Sequence, residues 1–194
     1  MTLLKPNWHY YHKQGLSSLF LMCALPLHFW TLLLAFRDVS WLTERTNAWD
    51  AIGVVSYGMV YAFVESILLF LVFSLLGFFI SRSWNIEKRI SLLSIFVLII
   101  SLWAIVPQLY FLWGEPIPEP IFQALVHNAR PVRAMYMIAF AFCVTTFMTP
   151  AYFILQSDKG LKIAQNFIER ITLLSIFYIF LSFIGLIIVI VRNI

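Results

Sequence analysis

The sequence predicts an all-α integral membrane protein, a bundle of about five transmembrane helices, on three observations. Of 194 residues, 62% are hydrophobic and only 11% are charged, with a mean hydropathy of +0.90; a soluble domain carries about 25% charged residues. The apolar residues come in long runs rather than one-sided stripes, and about 20 of them suffice to span a bilayer. Most of the seven Trp fall near run ends, where interfacial aromatic belts sit.

The first span is expected over residues 15–36, with Pro26 and His28 inside it. Before it, Trp8, Tyr10 and Tyr11 are placed to meet headgroups beside Lys5 and Lys13. The run is longer than a signal-peptide core and ends without a small-x-small cleavage pattern, so it reads as an uncleaved span. Residues 37–50 read as a polar loop in which Asn47 caps the next helix and Asp50 faces its positive dipole end.

The second span, residues 51–80, is the longest apolar stretch and carries Glu65 within it. An ionisable group at membrane depth costs about 2.5 kcal/mol or more unless paired, hydrated or protonated. A short basic turn leads to span three, residues 90–113, with Pro107 and Gln108. Residues 114–133 form the longest loop, where Pro116, Pro118 and Pro120 favour extended backbone. In it, residues 121–129 read as a short interfacial helix. At about twenty residues this loop exceeds the usual helix–helix connection, which favours a binding or covering role. Pro131 suits a helix start, and span four follows over residues 134–155. A basic turn at 156–170 leads to span five, residues 171–191.

Five spans put the termini on opposite sides. The amino-terminal side collects Lys5, Lys13, Arg82, Lys88, Arg89, Lys159, Lys162 and Arg170, and the other side Arg37, Arg45, Arg130, Arg133 and Arg192. The positive-inside rule then places the amino terminus in the cytoplasm and the carboxyl terminus outside. The +4 charge is scattered singly through the loops, with no basic face able to track nucleic acid. RISLLSIF at 89–96 recurs as RITLLSIF at 170–177, which suggests one helix followed by two duplicated helical hairpins.

Depth brings the polar residues together. At 1.5 Å per residue Glu65 lies about 22 Å above the cytoplasmic edge, and His28 about 18 Å. Gln108 and the arginines at the start of span four lie towards the same outer half. We therefore expect a polar pocket around Glu65, with Arg133 or His28 as charge partner and Tyr61 and Gln108 as hydrogen-bond groups. The competing expectation is a buried ion pair, or a protonated Glu65, that only locks helices together.

The chemistry-bearing motifs are few. A haem held by two histidines needs a second one at the depth of His28, whereas His9, His12 and His127 lie outside the spans. Metal motifs, GxSxG, paired aspartates at membrane depth and glycine-rich phosphate loops do not occur, so no catalytic or metal residue is assigned and no cofactor is identified. Cys23 and Cys143 read as packing residues. Serines within the spans, and the Tyr178, Ser182, Gly185 face of span five, read as helix-packing positions. The functional expectation is a non-catalytic multi-pass protein, an accessory or structural subunit contacting lipid and protein partners or further copies of itself. The alternative is a small proton-coupled carrier or solute-binding protein using the Glu65 pocket.

Overall fold

The structure, a computed structural model, describes residues 8–80, 84–114 and 116–194. The expected headgroup anchors Lys5, Trp8, Tyr10, Tyr11 and Lys13 lie outside the described side chains, as does Arg82. The described residues form helices and no strands: α1 Trp8–Arg37, α2 Val39–Arg45, α3 Ala48–Phe79, α4 Ile86–Leu112, α5 Glu119–Val126, α6 Pro131–Gln156 and α7 Asp158–Asn193. Five of them, α1, α3, α4, α6 and α7, are long and apolar enough to cross a membrane. The chain is a multi-pass α-helical membrane protein.

The local signals act largely as expected. Asn47 Oδ1 accepts from the Asp50 N–H at 2.9 Å and starts α3, and Pro131 opens α6. Gly114 follows the end of α4 at φ 67°, a left-handed conformation that glycine takes without steric cost. The interfacial segment of the long loop folds as α5. Pro26, Pro107 and Pro150 each sit inside a helix, as transmembrane helices tolerate.

Two stretches differ from expectation. Residues 37–50 are not all loop: α2 forms there, with Leu42 buried and the Arg45 guanidinium 4.5 Å over the Trp41 ring one turn away. The segment 156–170 is not a turn. Only Ser157 separates α6 from α7, and its side chain accepts from the Gly160 N–H. From Asp158 the helix runs unbroken for 36 residues, about 53 Å, well beyond a core of about 30 Å. Its first turns are anchored by Leu161, Ala164 and Ile168, which are buried.

Three helices, α1, α3 and α7, pack mutually; α4 lies chiefly on α1 and α6, and α6 on α4 and α7, with α5 beside it. One apolar cluster, Leu19, Cys23, Phe73, Leu93 and Val97, joins α1, α3 and α4. A second, Leu92, Ile154, Leu161 and Ala164, joins α4, α6 and α7. The inward seam of α3 is Met59, Ala62, Ser66 and Phe73, all buried. On α7 the small residues Ser175, Ser182 and Gly185 are buried. A Cβ on Gly185 would lie 3.1 Å from Ser56 O, so α3 and α7 approach closely there, as small residues permit within a membrane.

Both ends of the bundle are tied by polar contacts. The end of α7 fastens to the start of α3: Arg192 Nη2 lies 2.7 Å from Asp50 Oδ1, Arg192 also donates to Trp49 O, and Asn193 Nδ2 donates to Tyr57 Oη at 2.6 Å. At the opposite end Lys88 Nζ donates to Leu155 O at 3.3 Å and Gln165 Nε2 donates to Glu87 Oε2 at 3.2 Å. The two similar octapeptides share a buried serine, Ser94 and Ser175, but little else. Leu92 and Leu93 are buried whereas Leu173 and Leu174 are exposed, and Arg89 sits in the first turn of α4 whereas Arg170 lies thirteen residues into α7.

Candidate functional site

Among the described residues, the core of the three-helix unit contains one imidazole. His28, on α1, is fully buried. Its Nδ1 lies 2.7 Å from Ala24 O and its Nε2 2.8 Å from Ser182 Oγ of α7. The Ser182 hydroxyl in turn lies 3.0 Å from Met59 O of α3. The Tyr178 ring, one turn before Ser182, lies parallel to the imidazole at 6.5 Å. One chain of hydrogen-bonding atoms thus crosses all three helices.

Proton counting defines what this chain does. A carbonyl only accepts, so Nδ1 carries a hydrogen towards Ala24 O. In a neutral ring Nε2 is then an acceptor, and the Ser182 hydroxyl donates to it. In a doubly protonated ring Nε2–H donates to Ser182 Oγ, and the hydroxyl proton turns to Met59 O. Both states use the same heavy-atom positions. Both ring nitrogens lie within hydrogen-bond distance of protein atoms. Among the described residues no group of three or more potential metal ligands occurs.

The five residues expected to share a pocket are dispersed. His28 points into the α1–α3–α7 core. Glu65 is on an exposed face of α3 and, among the described residues, makes no hydrogen bond or ion pair. Tyr61, one turn away, is 67% exposed. Gln108 and Arg133 are exposed on α4 and α6. The helices α3 and α6 do not touch, so Arg133 is not brought to Glu65. Instead it flanks, with Arg130 and Asn128, a shallow surface depression at the start of α6.

The physical reason is azimuth. Residues of an α-helix share a face at spacings of three and four. Met59, Ala62 and Ser66 define the inward seam of α3, and small Ala62 and Ser66 let its neighbours approach closely. Glu65, although three residues after Ala62, lies about 90° around the helix from the centre of that seam at 100° per residue, on a strip shared with Tyr61, Leu68, Val72 and Leu76, all exposed. The carboxylate is about 26 Å from the first residue of α3 and about 21 Å from its last. In a core of about 30 Å, the expected height of about 22 Å leaves the carboxylate about 8 Å inside the outer edge.

A separate groove opens between α1, α2, α3 and α7. It encloses about 370 Å³ and is apolar, lined by Leu32, Leu42, Ile52, Met59, Leu181 and Ile188 among others. It adjoins the His28–Ser182 chain through Met59. Sequence reasoning identified Ser182 as a helix-packing residue but not as the partner of His28. It also did not anticipate the Asp50–Arg192 pair. In each case the two residues lie more than 140 positions apart. Comparison with protein-family models, with curated proteins and with solved structures finds no match for this chain.

Proposed function

We propose that the chain is a non-catalytic subunit of a larger membrane complex. The carrying observation is α6. In its most apolar stretch only 6% of residues are buried, against 33% for α1. Its exposed face is rich in Met and aromatic residues, including Met135, Tyr136, Phe140, Phe142, Met148 and Tyr152. These residue types are enriched at the centres of protein interfaces. Lipid tails make no such demand, since an aliphatic surface meets them equally well.

The reading is tested by placing a photo-crosslinking amino acid at Phe140 or Met148 and, as a control, at Phe177 on the exposed face of α7, in native membranes. Adducts of one discrete mass at the α6 positions and lipid adducts at Phe177 are expected. Lipid adducts at all three positions overturn it.

One observation favours a second reading, a small carrier or solute-binding protein. The groove of about 370 Å³ beside Met59 adjoins the His28–Ser182 hydrogen-bond chain, whose donor and acceptor roles depend on the protonation of the imidazole. Its apolar lining suits a hydrophobic solute better than the polar one an outer-leaflet pocket around Glu65 would take. Orientation, with the amino terminus cytoplasmic and the carboxyl terminus outside, is part of the proposal and rests on the distribution of Lys and Arg.

A further inference from the structure

We infer that the Glu65 strip of α3 receives a transmembrane helix from a different protein, and that this helix carries a lysine or arginine at the depth of Glu65. The inference deepens the subunit reading by naming the chemistry of one partner. It rests on a different helix from the one that carries that reading.

Glu65 sits within the apolar stretch of α3, on an exposed face, with no partner among the described residues. A carboxylate in that position is relieved by a cation, by hydrogen-bond donors or by protonation. Tyr61 is one turn away on the same strip and exposed, so an incoming cation meets a carboxylate and a phenol together, while Leu68 and Val72 supply the apolar contact beyond them. The three-and-four spacing of the strip suits side-by-side packing of a second helix.

A second copy of this chain does not supply the complement. All thirteen Lys and Arg lie in loops or at the ends of the apolar stretches. Among the described residues the one basic group within the core, His28, is buried and engaged on both nitrogens. Two copies meeting through this strip would place like groups, Glu65 and Glu65, near one another. A cation that pairs with Glu65 at this depth therefore comes from another protein.

The test uses the full-length protein in phosphatidylcholine vesicles and a model helix of leucine and alanine carrying one lysine at the depth of Glu65. Association is read by energy transfer between labelled protein and labelled peptide. Saturable transfer is expected for the lysine helix at a mole fraction at least about tenfold below that needed for an all-leucine helix. E65Q should remove that difference. L68W, which blocks the strip while leaving Glu65 in place, should weaken the lysine helix as well. Equal association of the lysine and all-leucine helices overturns the inference, as does full retention in E65Q. Transfer between two labelled copies of the wild type that E65Q abolishes also overturns it, because a second copy is then the occupant. If the protein is recovered from native membranes in a hetero-complex yet ignores the lysine helix, the subunit reading stands and this inference falls.

Discussion

His28 Nε2 and Ser182 Oγ lie 2.8 Å apart across 154 residues of sequence, at the point where α1, α3 and α7 meet. Interhelical hydrogen bonds inside membranes contribute on average about 0.6 kcal/mol and at most about 1.7 kcal/mol. The packing of a fully buried ring should outweigh the bond it makes. S182A is therefore expected to cost about 0.6 kcal/mol and H28A several times more. Denaturation of the purified protein in mixed micelles, run as a double-mutant cycle, measures both. A coupling energy near zero would mean that the contact does not form.

The Asp50–Arg192 pair closes the opposite arrangement, chain end onto helix start. Both side chains are partly exposed, so the pair is expected to contribute no more than about 1 kcal/mol and to weaken with salt. D50N should leave global stability nearly unchanged while speeding amide exchange in the last turn of α7. A Cβ on Gly53 would collide with the Arg192 guanidinium, so G53A should reproduce the local effect of D50N. The two changes together should add little, because each removes the same contact.

Two glycines should respond differently to alanine. At Gly160 a Cβ would lie 2.5 Å from the Phe153 carbonyl oxygen, which cannot move without opening the α6–α7 turn. G160A should cost about 2 kcal/mol, within the range for forced overpacking. At Gly185 the nearest atom, Ser56 O, would be 3.1 Å away, and a small separation of α3 and α7 relieves it. G185A should therefore cost less than G160A. Thermal aggregation of the detergent-solubilised variants gives the order, and the reverse order would contradict the packing described.

Orientation is open to direct chemical labelling. With Cys23 and Cys143 replaced, N128C in the turn between α5 and α6 should react with a membrane-impermeant maleimide applied outside intact cells. S157C in the α6–α7 turn should react only after permeabilisation. The opposite pattern would reverse the topology.

How much of this was legible in sequence differs from feature to feature. Span number and the cap at Asn47 follow from hydropathy and residue type. Residues 158–170 do not show in hydropathy as part of a long helix because their charge lowers it, although Leu161, Ala164 and Ile168 carry a helical spacing. Distance along a helix axis follows from the rise per residue, but azimuth does not. Along α3 the inward seam of Met59, Ala62 and Phe73 is no more apolar than the outward strip of Leu68, Val72 and Leu76. A membrane removes the polar face by which a soluble helix shows its orientation. Only small residues, such as Ala62, Ser66 and Gly185, mark the buried side. Depth alone therefore suggested a shared pocket for Glu65 and His28, although one faces out and the other in.

The most direct test of the subunit reading is affinity purification from the native membrane in mild detergent, followed by native mass spectrometry of the intact particle. A reproducible, stoichiometric complex with at least one other membrane protein is predicted. A lone monomer, or an assembly of this chain with itself only, would contradict it.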